Sequence, residues 1–329
     1  MAMINLEKNK GAQIMARLLF AVLALSASIV AASAQEFPLT IETKFGTTVI
    51  EERPNRIATL DFNGADDLLA MGVQPVAIRH WYGDFPKIVW PWAAPLLTTE
   101  PVVLARNLDI EAIAASEPDI ILAMWSGIDQ RAFDQLSQIA PVVAVPDGVG
   151  DYEMPWDARA LRAGRAMGME ETAERTVADI NAKFDAALAA NPNWNGLTAT
   201  VAFLWNGRLG VYGAADIRPQ VLARMGLETS DGVNAIVDEG DFAADISNEA
   251  LPEIDSDVIL WFASDETFDE VRALPGKSVL RGGHVFVDNL LTGAFSHASL
   301  LSLPYVLERL PDALNEALRD PNKPVLTKP

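Results

Sequence analysis

An arginine and two aromatic residues stand together directly after a predicted strand. Arg79 follows the apolar segment Val76–Ile78, and Trp81 and Tyr82 come close behind it. A guanidinium offers a planar fork of donors and stays charged, so it suits oxygen-rich or anionic ligands. Aromatic side chains add contact area at little entropic cost. The segment predicts a site for a flat, oxygen-bearing ligand, although a surface arginine paired with a carboxylate would leave the same pattern.

Similar residues occur near later strand ends and in loops. Ligands of open α/β sheets bind at the carboxyl ends of the strands, whereas a large aromatic side chain more often belongs to the core. Trp125, after the predicted strand Ile120–Met124, can therefore be either a ligand contact or a core residue. The further candidates are Trp205, Tyr212, Arg218, Phe242 and Phe295.

The chain has three histidines and no cysteine. A zinc site needs three or four ligands, but His80, His284 and His297 are scattered along the sequence. We therefore predict no metal site and no cofactor. His80 and His297 are instead expected to face a ligand from opposite halves of the protein.

A serine hydrolase is the alternative from another functional class, because Ser296 precedes His297 and Ser299 follows. The chain has no Gly-x-Ser-x-Gly elbow, no phosphate-binding loop and no dinucleotide fingerprint. We therefore predict a binding protein and not an enzyme.

The elements that position these residues alternate between short strands and helices. Residues 40–50 are predicted to form a strand pair, and strand–helix alternation follows over residues 56–145 and again over 200–310, with a last helix at Ser299–Leu310. Such alternation indicates α/β units with mainly parallel sheets. Between the two regions, Glu171–Ala190 is predicted to be one long amphipathic helix.

The two α/β regions repeat one pattern, in which a glutamate starts a short helix and an aspartate precedes the next strand eight residues later. A tryptophan follows each strand closely. The glutamate has two explanations: it complements the positive end of the helix dipole, worth about 0.3–1 kcal/mol, or it docks onto cations of a partner. The matched residues are Glu111 with Glu249, Asp119 with Asp257, and Trp125 with Trp261.

The N-terminus resembles a secretory leader. Lys8, Lys10 and Arg17 precede the apolar run Leu18–Ala32, which is short for a membrane span of about 20 residues. We predict a signal peptide over residues 1–34, with translation starting at Met1 or Met15 and cleavage between Ala34 and Gln35; a retained anchor is the alternative. Without a cysteine for lipid attachment, the mature chain is expected to be free in the periplasm. The net charge of −20 argues against nucleic acid as a partner.

Several segments, in order along nearly the whole mature chain, resemble the periplasmic iron-siderophore and cobalamin binding proteins of ABC importers. The resemblance implies two Rossmann-like α/β lobes, residues 35–168 and 193–329, joined by one rigid helix within 169–192, with the ligand in the cleft between them. The matching segments are Arg56–Asp61, Asp66–Val73, Asn107–Glu111, Pro118–Ile121, Leu136–Val142, Asp245–Glu249 and Leu301–Tyr305.

This resemblance also implies partners. Arg79 and Trp81 are similar in placement to residues of ferric hydroxamate binders, where the arginine contacts chelate oxygens. Glu111 and Glu249 would engage arginines of an inner-membrane ABC permease, and the protein would act as a monomer. The siderophore type, whether hydroxamate, catecholate or carboxylate, stays open. Cobalamin and haem are the alternative ligands, with His297 or Tyr82 as an axial ligand for haem.

Overall fold

The computed structural model describes residues 36–238, 241–263 and 267–328. The predicted leader and its cleavage site lie outside the described residues. The strands are β1 Leu39–Thr43, β2 Gly46–Ile50, β3 Ile57–Thr59, β4 Ala77–Arg79, β5 Val102–Leu104, β6 Ile120–Ala123, β7 Val142–Ala144, β8 Leu197–Trp205, β9 Arg208–Tyr212, β10 Leu227–Thr229, β11 Ala243–Asp245, β12 Val258–Ala263, β13 Gly283–Val287 and β14 Val325–Leu326. The α-helices are α1 Asp66–Ala70, α2 Ile110–Ala115, α3 Gln130–Leu136, α4 Trp156–Ala166, α5 Glu170–Ala190, α6 Ile217–Arg224, α7 Asp231–Ile236, α8 Phe268–Arg272, α9 Asn289–His297 and α10 Ser302–Arg319. Short 3-10 helices cover Pro86–Ile88, Ala94–Leu96, Pro192–Trp194, Asn248–Ile254 and Lys277–Val279.

Two sheets organise the fold, one in each half of the chain. The N-terminal sheet has the order β5-β4-β3-β6-β7, and all of its strand pairs are parallel. The C-terminal sheet runs β11-β9-β8-β12-β13-β14, with β10 also paired to β8; only the pairs β8–β9 and β9–β11 are antiparallel. The predicted α/β class with mainly parallel sheets is confirmed. The predicted strand pair near the N-terminus is the antiparallel hairpin β1–β2.

Helices α4 and α5 carry the chain from the first sheet to the second. The 21-residue helix α5 starts one residue before the predicted helix and ends at the same residue. Its buried residues form one stripe at helical spacing: Ala173, Val177, Ile180 and Phe184. Gly164 of α4 allows close approach, because a Cβ there would lie 2.3 Å from the Cβ of Ala173. The lobe boundaries predicted from the sequence, 35–168 and 193–329, are not tested by these contacts and stay a prediction.

The repeated aspartates have the same structural role in both halves. Asp119 accepts hydrogen bonds from the backbone N–H groups of Asn55 and Arg56, at 2.8 and 2.9 Å, just before β3. Asp257 accepts from the N–H and hydroxyl of Thr198, at 2.7 and 2.8 Å, near the start of β8. The tryptophan match is not structural, because Trp261 lies inside β12 and not after it.

The last helix was predicted wrongly at both ends. It begins at Ser302 and continues through Pro311 to Arg319. An internal proline removes one backbone hydrogen bond and costs about 3 kcal/mol. The helix continues because its buried residues lie both before and after the proline, at Leu310 and at Ala313, Leu314 and Ala317.

Candidate functional site

A cleft of about 700 Å³ lies between residues of the N-terminal half and residues of the C-terminal half. Five residues predicted from the sequence line it together: Trp81, Tyr82, Trp205, Tyr212 and Arg218. The other lining residues are Gly83, Asp84, Phe85, Trp90, Arg106, Asn206, Asn289, Thr292 and Ser296. Six of the side chains are aromatic, so the cleft offers a wall suited to a large ligand with flat groups.

Strand ends bring the predicted residues to the cleft. Trp81 and Tyr82 follow β4 after His80, while Trp205 ends β8 and Tyr212 ends β9. The turn between β8 and β9 places Asn206 and Gly207 at positive φ, 53° and 74°, as a tight two-residue hairpin requires. Trp205 and Tyr212 are therefore held by the sheet, whereas Trp81 and Tyr82 lie at the start of the loop after β4.

The aromatic rings of the N-terminal wall pack against one another. The Trp81 and Tyr82 rings meet edge to face with centroids 4.5 Å apart, and the Tyr82 and Trp90 centroids are 5.3 Å apart. Phe85 lies 4.6 Å from Trp90. Such pairs are favourable beyond the area they bury, so this wall is formed without ligand.

Trp90 is a lining residue that sequence reasoning missed. Its ring sits directly on α9, since a Cβ added at Gly293 would lie 2.1 Å from the ring. Trp90 is only 4% exposed and thus ties the loop after β4 to the C-terminal half. The dense tryptophan content of that loop was visible in the sequence, but the glycine that accepts Trp90 lies about two hundred residues later.

Arg218 is a buried cation of the cleft wall. Its guanidinium makes an ion pair with Asp216 at 2.9 Å and donates to the Ser296 hydroxyl at 3.0 Å. It also lies 4.1 Å from the centroid of the Tyr212 ring. Burial disfavours its charge, but Asp216 with the neighbouring tyrosines outweighs burial and raises the pKa of Arg218. The guanidinium is therefore charged and fixed in place.

Arg79, the first predicted anchor, lies behind the wall and is not among the residues lining the cleft. It donates to the backbone carbonyl of Arg106 at 2.6 and 2.9 Å and to that of Ser126 at 2.8 Å. Its guanidinium also lies 4.5 Å from the Phe62 ring centroid. Arg79 thus holds the backbone of Arg106, whose exposed side chain does line the cleft. Sequence reasoning missed Arg106 because no strand or motif marks it.

Four other predicted residues also lie away from the cleft wall. Trp125, Phe295 and His297 are buried, with exposures of 3%, 0% and 3%. Phe242 is exposed and lines a neighbouring groove of about 350 Å³ that shares Trp205 and Tyr212 with the cleft. Trp125, Phe295 and His297 lie away from the cleft because their rings fill the core, which their positions in the sequence do not show.

His297 is enclosed by aromatic rings and not presented to a ligand. The centroids of Trp81, Tyr82, Trp90 and Trp92 lie 5.1–6.0 Å from its ring. Its Nδ1 is 2.9 Å from the Gly293 carbonyl, and burial lowers its pKa to about 3. His297 is therefore neutral and placed as a core residue. Among the described residues, no group of three or more His, Asp or Glu side chains is arranged to hold a metal ion.

A buried polar network lies behind the cleft and joins both halves. Arg159 of α4 donates to Asp67 at 3.3 Å and to the carbonyl of Ala298 at 2.7 Å. Asp66 accepts from the Ser299 hydroxyl at 2.6 Å and from Trp92 Nε1 at 2.7 Å. The network therefore fixes the start of α1 to the segment between α9 and α10.

Asp66→Asn is expected to gain stability relative to the wild type as pH rises from about 4 to 7. Burial raises the pKa of Asp66 from 3.8 to about 7, against the lowering effect of the hydrogen bonds from Ser299 and Trp92. The folded wild type keeps a proton that the unfolded chain loses, so this contribution is full below about pH 4 and lost as pH rises through 7. Urea unfolding across this range should show a difference of up to about 1.4 kcal/mol per pH unit.

Asp179→Asn, on the exposed face of α5, is the control for that measurement. It makes the same replacement of a carboxyl group by an amide but lies outside the network. The difference in the free energy of unfolding between Asp66→Asn and the wild type should rise with pH. A difference that does not change with pH, or that falls, would contradict the assignment of a proton to Asp66.

The two repeated glutamates are exposed in both halves. Glu111 lies in the first turn of α2, and Glu249 lies in the first turn of the 3-10 helix Asn248–Ile254. Neither makes an ion pair with any residue that the structure describes. Asp109 caps α2 by accepting from the Ala112 N–H at 2.9 Å, so this helix start does not require the glutamate for capping.

None of the described helices is long and apolar enough to cross a membrane.

Comparison with known proteins gives one consistent result. A family model described as periplasmic binding protein matches residues 57–277. YfiY of Bacillus subtilis, a probable siderophore-binding lipoprotein, is 26% identical over 234 residues, which cover 68% of this chain and 68% of YfiY. The ferric-anguibactin-binding protein FatB of Vibrio anguillarum is 24% identical over 261 residues, covering 76% of this chain and 74% of FatB.

A solved structure agrees over a longer span. PiaA of Streptococcus pneumoniae TIGR4, in complex with ferrichrome, superposes with a TM-score of 0.75 at 26% identity. The match covers 85% of this chain and 98% of PiaA.

Proposed function

Because this chain belongs to the periplasmic binding protein family, we propose that it captures a ferric siderophore outside the cytoplasm and delivers it to an ABC permease. Its role in this proposal is binding and transfer, without chemical conversion of the ligand. The iron is cargo carried by the siderophore and not a cofactor of the protein.

The aromatic cleft with two cations is the observation that carries the proposal. A ferric siderophore is bulky, presents flat chelating groups and exposes partly negative oxygens around the metal. Trp81, Trp205 and Tyr212 offer ring faces and edges for the organic groups. Arg106 and Arg218 offer guanidinium donors for the oxygens. YfiY, FatB and PiaA, which are named for siderophores or solved with one, support the same ligand class.

Titration with ferric siderophores tests the function directly. Three tryptophans line the cleft, so a bound ferric chelate should quench the intrinsic fluorescence of the protein in a saturable way. Trp205→Phe should keep binding but lower the amplitude of the quench. The iron-free siderophores and haemin serve as controls. Haemin should produce no Soret shift, because His297 is enclosed by rings and burial raises the pKa of Tyr82 to about 12, which disfavours a phenolate ligand. The absence of saturable quenching by every ferric chelate would contradict the proposal.

Arg106→Ala and Arg79→Ala are expected to differ in their effect on stability, because Arg106 is placed to contact the ligand and Arg79 holds the backbone behind the cleft. Arg106→Ala should weaken binding by about 1.5–3 kcal/mol, the range for a charged hydrogen-bonding group, while leaving stability unchanged. Arg79→Ala should weaken binding and also lower the free energy of unfolding, because the buried carbonyl of Ser126 and the partly buried carbonyl of Arg106 lose their donor. Calorimetric titration and urea unfolding measure the two effects.

The exposed Arg131→Ala on α3 is the charge-matched control and should change neither quantity. Loss of affinity in Arg79→Ala without loss of stability would point instead to direct ligand contact by Arg79, as the sequence first suggested.

We also place delivery at Glu111 and Glu249, whose exposed carboxylates would meet arginines of an inner-membrane permease. The family is extracytoplasmic, and we assign this chain to the periplasm as a monomer exported through the predicted leader. YfiY is described as a lipoprotein, whereas this sequence contains no cysteine to carry a lipid. Cell fractionation and the N-terminal sequence of the exported protein test this assignment.

A further inference from the structure

The charges that line the cleft cancel. Arg218 is already neutralised by the buried carboxylate of Asp216, with which it shares contacts of 2.9 and 3.0 Å. The remaining charged residues of the lining are Arg106 and Asp84, which have opposite signs. Both are exposed, and neither is paired with another residue of the described ranges. A ligand entering the cleft therefore meets no net positive charge.

The neighbouring groove is balanced in the same way. Its cation, Arg208, holds Asp245 through contacts of 2.8 and 2.9 Å. This groove is continuous with the cleft through Trp205 and Tyr212. This groove could therefore hold a further part of the ligand, and it adds aromatic surface but no unpaired cation.

The rest of the molecule does not compensate for this balance. The full chain carries a net charge of −20, so its long-range field repels anions. An anion that loses water in a cavity needs nearby opposite charges, or its transfer is costly. A neutral ligand with apolar edges has no such cost and gains from six aromatic side chains.

Resting on the proposed function, we propose that this cleft selects ferric chelates of little or no net charge, such as tris-hydroxamates, over trianionic tris-catecholates. Three hydroxamate groups together neutralise Fe(III), whereas three doubly ionised catecholates leave three negative charges. Arg106 supplies one cation for the partly negative chelate oxygens, which suits a neutral complex and falls short of a trianion.

Calorimetric titration with preformed ferrichrome and ferric enterobactin, at one fixed ionic strength, tests the selectivity without relying on quenching. Ferrichrome should bind at least about 100-fold more tightly than ferric enterobactin. Equal or tighter binding of the trianion would overturn the inference while leaving the proposed function in place. Failure of every ferric chelate to bind would overturn the proposed function and this inference with it.

A charge reversal at the cleft provides the matched variant. Asp84→Lys should shift the ratio of the two affinities toward the trianion by about tenfold, and this shift should shrink as salt is added. Asp179→Lys makes the same change of charge on the exposed face of α5 and should leave the ratio unchanged. An unchanged ratio in Asp84→Lys, or an equal shift in both variants, would show that charge within the cleft does not set selectivity.

Discussion

Replacing Arg159 with methionine is expected to lower the free energy of unfolding by about 3–5 kcal/mol. The Arg159 side chain is fully buried and bonds to Asp67 and to the carbonyls of His297 and Ala298. Its guanidinium also lies 5.2 Å from the centroid of the Trp125 ring. Methionine fills similar volume but leaves two carbonyls without their donor. It also removes the cation beside the buried Asp67 carboxylate, which keeps its hydrogen bonds from Asn63 and the Leu300 N–H. Urea unfolding followed by tryptophan fluorescence measures the loss.

Two further variants separate the buried charge from loss of packing. Asp67→Asn combined with Arg159→Met should cost less than the sum of the single changes, because the double variant no longer leaves Asp67 as a buried charge without its cation. Arg175→Met removes an exposed arginine of α5 and should change stability by less than about 0.5 kcal/mol. Two results would contradict a stabilising role for this ion pair. One is a change in the free energy of unfolding of the double variant that equals the sum of the single changes. The other is a loss in Arg159→Met as small as that in Arg175→Met.

Glu111→Ala combined with Glu249→Ala is expected to reduce siderophore-dependent iron uptake by at least about tenfold while leaving ligand affinity intact. Both carboxylates are exposed and unpaired within the described part of the chain, and neither lines the cleft. Their removal therefore affects docking without disturbing the binding site. Uptake of radioactive iron by cells that rely on this protein measures the effect, and titration of the purified variant measures affinity.

Glu174→Ala combined with Asp179→Ala is the matched control, since it removes two exposed carboxylates from α5. The control should support normal uptake. Normal uptake by the Glu111 and Glu249 variant would show that these residues only complement their helix dipoles. A loss of ligand affinity in that variant would place the defect in binding and not in docking.

The sequence by itself determined the fold class, the long helix α5 and the repeated glutamate–aspartate pattern. The strands and helices follow from local rules, because the periodicity of apolar residues sets them. The repeat is visible in the sequence, but the backbone groups that its aspartates bond lie 59 to 64 residues earlier in the chain. The sequence also identified five residues that do meet in the cleft. Trp81, Tyr82 and Trp205 lie at or after the carboxyl ends of strands with parallel neighbours, where ligands of α/β sheets bind, whereas Tyr212 ends the antiparallel strand β9 and Arg218 lies in α6.

Only the tertiary structure decided which of the predicted residues line the cleft and which are buried behind its wall. Arg79 and Arg106 lie within one segment of the chain, yet the first bonds to backbone carbonyls and the second faces the cleft. Trp90 and His297 give a second example: Trp90, which was not predicted, lines the cleft, whereas His297, which was predicted to face the ligand, is enclosed by aromatic rings. These outcomes depend on contacts between residues far apart in sequence, such as Trp90 on Gly293. Side-chain burial is set by such long-range packing, which no local pattern of residues encodes.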